Sequence, residues 1–415
     1  MRAVSEMNSS SLGRRALVLE PSGNLWGSER VLLDFLGAAT PHATGLAATG
    51  LAATGSLAPG KSRAGLPGAN ENATSSRWQL GVCCPPATPI LPHLAALSVP
   101  VFPWFGANLH LAGRAQRARA TLGLWRAART FGADLIYVNQ AGATRIALAV
   151  GRVLRLPVVT HVRLAEDVGY VASLGASAAA LPKVVCISDT IRRGFDGQSA
   201  VAPHQLATLY DPYAFRAPNV LVAPMPSGEP VFSCVGRLAH IKGQDVLLRA
   251  LAHLGREGVA ARAVFVGAAG PGDGFGDELR ALSRELGLEE RVEWAGFQAN
   301  ALAHLAGCAA QVCPSRGEPL GRVVFEAWDA GILPIAWRGS GGPAEAISAS
   351  GGGLLYDETS GPSLASGLRA VLALRQTEKQ AMIEGGRAWV RAQCDPARFA
   401  RALLGLWDEA METRT

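Results

Sequence analysis

Two carboxylates, Glu318 and Glu326, stand eight positions apart in the run EPLGRVVFE. Ahead of them, residues 308–314 read as a short buried strand, 315–319 as a turn, and 321–330 as a helix stopped by Gly331. That layout puts Glu318 just before a helix N-terminus and Glu326 in the second turn. With about 1.5 Å of rise per helical residue, the two acids fall on the order of 10 Å apart along one groove wall. A nucleotide sugar has about that span between ribose and hexose, so one acid would hold sugar hydroxyls and the other ribose hydroxyls. Between them, the N–H groups of the first helical turn offer a seat for phosphate oxygens. Taken alone the spacing says little, because glutamates at this interval are common on solvated helices.

The elements upstream give the pair a context. VFSCVGRLAHIKGQDVLLRALAHL reads as a strand over 231–235, a glycine turn, and an amphipathic helix from about Gln244. Arg237 and Lys242 fall in the loop between strand and helix. An open α/β sheet binds ligands outside the carboxyl ends of its strands, and two fixed cations there suit a diphosphate. The plainer reading of both is surface charge.

This stretch, followed in order by ELRALSRELGLEERVEWAGF, CPSRGEPLGRVVFEAWDAGILPIA, SGGPAEAI and GGGLLYD, resembles the C-terminal domain of the GT-B glycosyltransferases of family 4, which retain anomeric configuration. Ordered blocks over 231–356 are far more specific than any one motif. The resemblance implies that Arg237 and Lys242 hold the diphosphate, Glu318 stands beside the donor sugar, and Glu326 grips the ribose. It implies backbone contacts to sugar and phosphate at Leu320 and Gly321. It also implies the fold, an α/β GT-B arrangement of two Rossmann-like domains facing an interdomain cleft, with a C-terminal helix crossing back.

The first half of the chain repeats the strand and helix rhythm of a parallel, doubly wound sheet, with strands expected at 16–20, 79–84, 99–102, 134–138, 158–161 and 184–187. The expected organisation is a disordered tail over 1–13, an acceptor-binding domain over 14–217, a nucleotide-sugar domain over 218–395, and a crossover helix over 396–415. A Pro-rich linker joins the halves between Asp211 and Pro230. Residues 40–77 begin with ATGLA twice and continue rich in Gly, Ser, Asn and Pro, which reads as a low-complexity insertion.

Within that first half, PSGNLWGSERVLLDFL follows the first strand. Its Gly23 and Gly27 allow close approach to a ligand, and Ser28 is placed to cap the helix. It resembles the family's Gly-Gly-x-Glu loop, which closes over donor phosphates and acceptor, with Gly-Ser-Glu in its place; a plain capped turn is the alternative. His161 ends a strand in PVVTHVRLAED, and the resemblance gives it contact with the donor sugar's hydroxyls; a lone histidine is otherwise more often structural. Arg163, Glu166 and Asp167 follow, as acceptor contacts or as solvated charge. The chain departs from the family at ATLYDPYAF, where relatives carry an Asn-Gly-Val-Asp loop, and at VGAAGPGDGF, which lacks the usual Asp.

Composition agrees with a globular protein of two domains: 415 residues, 49% hydrophobic and 17% charged. The net charge of +6 comes from arginine, since the chain has four lysines. No RNP, helix-turn-helix or zinc-finger pattern is present, so no nucleic-acid partner is expected. Arg114, Arg117, Arg119, Arg126 and Arg129 decorate one expected helix, as a contact for anionic lipid or as a solvated face. Seven cysteines without a C-x2-C pair read as buried thiols of a reducing compartment. Without a signal-peptide pattern or an apolar run of about 18 residues, the expected location is cytoplasmic, with peripheral contact at the inner face of the plasma membrane as its extension.

The expected reaction is transfer of a hexosyl group from a nucleoside-diphosphate sugar to a glycan, lipid-linked or small-molecule acceptor, with retention. No Asp-x-Asp motif appears, and no metal or other cofactor is expected if Arg237, Lys242 and the helix N-terminus neutralise the departing diphosphate. The rival readings are a sugar-nucleotide epimerase or phosphorylase of the same fold, and a catalytically silent scaffold that binds sugar nucleotide.

Overall fold

A computed structural model describes residues 13–25, 27–39, 77–106, 113–216 and 228–413. The expected tail over 1–13 apart from Gly13, the insertion apart from Arg77, and linker residues 217–227 lie outside the described residues. Two compact units emerge, one of residues 1–187, 191–212 and 396–415, the other of residues 188–190 and 213–395.

The first unit is built on seven strands: β1 (Arg14–Leu19), β2 (Trp78–Cys84), β3 (Val101–Pro103), β4 (Leu135–Val138), β5 (Val158–Val162), β6 (Lys183–Cys186) and β7 (Leu206–Thr208). They pair in parallel throughout, in the order β3-β2-β1-β4-β5-β6-β7. Helices cover a parallel sheet on both faces, so its inner strands are apolar runs without alternation. LIYV of β4 is buried at every position. β7 escaped the sequence reading because three half-buried residues carry no period.

The helix Pro396–Glu412 packs into this unit beside the helix Gly27–Ala39. Trp407 is fully buried, with its ring 5.5 Å from Phe35, 5.5 Å from Trp78 and 5.2 Å from Tyr137. Aromatic packing of this kind costs about 3–5 kcal/mol when truncated to alanine.

The second unit carries β8 (Val231–Val235), β9 (Arg262–Val266), β10 (Val292–Gly296), β11 (Ala310–Cys313), β12 (Leu333–Trp337) and β13 (Leu354–Tyr356). They are parallel, in the order β10-β9-β8-β11-β12-β13. The helix Gln244–Arg256 buries Val246, Leu247, Leu251 and Leu254, the spacing of one helical face, in a core shared with Phe232, Phe265 and Leu364.

Each sheet reverses its winding once, between β1 and β4 in the first unit and between β8 and β11 in the second. At such a switch point neighbouring loops leave in opposite directions and open a crevice at the carboxyl ends of the strands. Arg237 and Lys242 follow β8, and Glu318 follows β11.

Candidate functional site

In the second unit the chain leaves β8, forms a single turn over His240–Lys242, and enters the helix Gln244–Arg256 through Gly243. Gly243 has φ +69°, and a Cβ there would collide with the carbonyl of Pro314. Glycine thus lets this turn lie directly against the end of β11. Lys242 Nζ forms an ion pair with Glu318 Oε2, and Ser315 Oγ lies 3.5 Å from the same oxygen. The side chains of Lys242 and Glu318 are 27% and 17% exposed, so the pair is half-buried and still reachable. The Glu318 backbone is held on both sides: its N–H donates to Ser340 O at 2.8 Å, and its carbonyl accepts from Gly342 N at 2.8 Å.

Gly321 caps the next helix, Arg322–Ala330, with φ +76°, and Gly331 ends it at φ +74°. A Cβ at Gly321 would strike the Pro343 ring. With glycine at the cap there is no side-chain cap hydrogen bond, and Val324 N donates to the Gly321 carbonyl at 2.9 Å. Leu320 buries its side chain and offers only its backbone. Glu326 is half-buried in the second turn. Nearby, Tyr213 donates to Asp329 Oδ2 at 3.0 Å. Its hydroxyl is pushed above its ordinary value by burial first, then by the Asp329 and Glu326 charges. Arg237 is exposed, and among the described residues its guanidinium makes no hydrogen bond or ion pair.

One participant was missed from sequence. Arg316 Nη1 donates to His240 O at 2.5 Å, and its guanidinium engages both Asp245 oxygens at 2.9–3.1 Å. Its signal was present only as an unexplained cation in CPSRGEPLG.

In the first unit, polar groups collect at the carboxyl ends of β1, β4 and β5. Glu20, fully buried, accepts from Ser22 N at 2.8 Å, Asn139 Nδ2 at 2.6 Å and Gln140 Nε2 at 3.1 Å. Burial, and then the charge of Glu29, raises its pKa. Gln140 Nε2 also reaches Glu29 Oε1 at 2.8 Å, and Ser22 Oγ donates to that oxygen. Arg163 bridges Asp211 Oδ1 at 2.5 Å, Asn139 O at 3.0 Å and Asn139 Oδ1 at 3.0 Å. None of these groups except Arg163 stood among the sequence candidates, because each is recognisable only once the strands are side by side.

His161 stands fourth in β5, Val158–Val162. It is fully buried, since residues two apart on a strand share a face and Val159 points into the core that holds Tyr137 and Trp407. Its Nδ1 lies 2.6 Å from Tyr137 Oη and 3.2 Å from Arg163 Nη2. A guanidinium only donates, so Nδ1 must accept and the ring proton resides on Nε2, which has no partner among the described residues. Burial and the Arg163 charge hold the imidazole neutral, well below its ordinary pKa. Gly27 is the exposed first residue of its helix with open space around the Cβ position, and Ser28 lies inside the first turn, where its Oγ meets Gln140 Nε2 at 3.1 Å, rather than at the cap.

Among the described residues no group of three or more His, Cys, Asp or Glu is arranged to hold a metal ion, and no helix is long and apolar enough to cross a membrane. All seven cysteines are buried; burial and then Glu318 raise the Cys313 thiol to about 11.

The family model described as "Glycosyl transferases group 1" matches residues 222–389. The second unit carries a group 1 glycosyl transferase domain. Arg237, Lys242, Glu318, Leu320, Gly321 and Glu326 all fall inside this group 1 domain, whereas Gly27 and His161 precede it. The lipopolysaccharide core biosynthesis glycosyltransferase LpsD of Rhizobium meliloti is 33% identical over 141 residues, covering 33% of this chain and 40% of its own length. The GDP-mannose-dependent alpha-(1-6)-phosphatidylinositol monomannoside mannosyltransferase of Mycobacterium tuberculosis is 35% identical over 173 residues, covering 40% of this chain and 43% of its own. The chain thus spans less than half the length of these curated relatives. Over 95% of this chain and 99% of the other, the crystal structure of Anabaena HepE in complex with UDP superposes with TM-score 0.72 at 19% identity. At that identity the likeness speaks for the fold, which is GT-B around the group 1 domain.

Proposed function

We propose that this protein is a retaining glycosyltransferase that moves a hexosyl group from a nucleoside-diphosphate sugar to an acceptor hydroxyl. The observation that carries the reading is the Lys242 and Glu318 pair at the switch point of the second sheet, next to a helix whose glycine cap makes no side-chain hydrogen bond and whose second turn bears Glu326. Lys242, Arg237 and the first-turn N–H groups would receive the diphosphate and stabilise the charge that grows on it as the glycosidic bond breaks. Glu318 would hold the sugar hydroxyls and stabilise the positive charge developing on the anomeric carbon. Glu326 would hold the ribose. In the mechanism that the resemblance implies, the departing phosphate takes the acceptor proton, which leaves nucleoside diphosphate and glycoside as products. HepE was crystallised with UDP and with UDP-glucose, which supports a nucleotide-sugar donor. The named roles of the two curated relatives, in lipopolysaccharide core and phosphatidylinositol mannoside synthesis, support a lipid-linked glycan as acceptor.

The test is a panel of UDP-, GDP- and ADP-sugars scored by thermal shift, because a ligand that binds only the folded state raises its melting temperature. At least one donor should shift the wild type, and Glu326→Ala should abolish that shift. Full nucleotide binding by Glu326→Ala, Arg237→Ala and Lys242→Ala alike would sink the site. Retention is read from the anomeric configuration of the product by NMR.

A further inference from the structure

Lys242 and Glu318 arrive from different strands, so something must fix one turn against the other. The two loops follow β8 and β11, 76 positions apart in sequence, and the Lys242 turn has only one helical turn of its own to stiffen it. Arg316, two residues before Glu318, reaches across to this turn in three ways. Its backbone N–H donates to Ile241 O at 2.7 Å. Its Nη1 donates to His240 O at 2.5 Å. Its guanidinium then grips Asp245, with Nη2 at 2.9 Å from Oδ2 and Nη1 at 3.1 Å from Oδ1. Asp245 stands in the first turn of the helix that begins after Gly243. Lys242 is thereby bracketed: the carbonyls of the two residues before it and the carboxylate three residues after it are bound to one residue, Ile241 O by the Arg316 backbone and the other two by its guanidinium.

We propose that Arg316 is a positioning residue, a clamp that sets the separation of Lys242 and Glu318 and so the fit between diphosphate and sugar. This rests on the donor-site reading given above. The clamp is 36% exposed at Arg316 and 22% at Asp245, so its charge attraction is screened and the planar two-pronged geometry does most of the fixing. Lysine carries the same charge without that fork and cannot bind both a carboxylate and a carbonyl in one plane.

The experiment compares the full chain with Arg316→Lys, Asp245→Asn and the double variant. First, amide hydrogen exchange without ligand should speed up about fivefold to tenfold in 239–243 and 315–318 in each single variant, with the double no faster than the singles. Second, with the donor that the wild type binds best among UDP-glucose and GDP-mannose, kcat should fall about tenfold while KM moves less than about threefold, because a misplaced pair loses alignment before it loses affinity. Unchanged exchange in both segments, or independent additive effects of the two substitutions, would overturn the clamp. An unchanged kcat beside faster exchange would overturn its positioning role. A wild type that binds neither nucleotide would defeat the donor-site reading and the positioning role with it, while the exchange data would still decide whether the clamp exists.

Discussion

Lys242 and Glu318 close on each other as an ion pair across the carboxyl ends of β8 and β11, the two strands between which the second sheet reverses its winding. On the proposed donor-site reading, this cation and acid would turn from each other to the diphosphate and the sugar. Both are partly exposed, so their mutual attraction adds little to stability, on the order of 1 kcal/mol or less. Their cost on removal should therefore appear in function. Glu318→Gln should lower kcat by about a hundredfold to a thousandfold, and Lys242→Ala should weaken nucleoside-diphosphate binding about tenfold. Steady-state kinetics and calorimetry read these effects, and the melting temperature should stay within a few degrees of wild type.

Gly321→Ala tests the helix start. The φ of +76° is strained for alanine, and its Cβ would enter the Pro343 ring. The expected cost is about 1–3 kcal/mol in urea unfolding, with a loss of nucleotide affinity because the first-turn N–H groups shift. Normal stability and normal binding together would show that the cap geometry is not needed.

Arg163 and Asp211 form a buried pair, with side chains 7% and 5% exposed. Arg163→Met strands the Asp211 carboxylate and the Asn139 oxygens, which should destabilise the first unit by about 3–5 kcal/mol. Adding Asp211→Leu should recover part of that loss in the same urea titration, because a buried charge without a partner costs more than an absent pair.

Stability should depend on pH through two buried groups of opposite sign. The Glu20 carboxyl is raised above its ordinary 4.5, so from pH 4.5 upward the folded state keeps a proton that the unfolded chain has lost, and stability falls as pH rises. His161 is depressed below its ordinary 6.5, so below pH 6.5 the unfolded chain takes up a proton that the folded state refuses, and stability falls as pH drops. Glu20→Gln should flatten the descent toward neutral pH. His161→Asn, which keeps an acceptor near the Nδ1 position, should flatten the acid side. Denaturation midpoints from about pH 4.5 to 8 separate the two. A His161→Asn protein that is fully folded yet inactive would support the ligand-contact role that the resemblance implies.

Much of the second unit was legible from sequence because its signals are local. The strand over 231–235 stands where the apolar run predicts it, since a parallel strand buried on both faces reads as a near-continuous apolar run. Gly331 ends the helix after Ala330 because a left-handed residue closes a helix and glycine adopts that conformation without strain. Arg237, Lys242 and Glu318 share the same advantage, each lying where a strand gives way to a helix, and Glu326 lies within the helix that follows.

What stayed hidden depends on neighbours that are distant in the chain. Arg316 means nothing until Asp245, 71 positions away, is beside it. The burial of His161 depends on the register of β5 with β4 and on the helix that brings Trp407 over Tyr137. By itself, then, the sequence determined the repeating strand and helix units, the glycine turns between them, and which residues stand at their ends. Only the tertiary structure decided which of those ends meet, because strand order and register bring together loops that periodicity and turn chemistry describe one at a time. That is how Lys242 comes to meet Glu318, and how His161 comes to lie beside Tyr137 and Arg163.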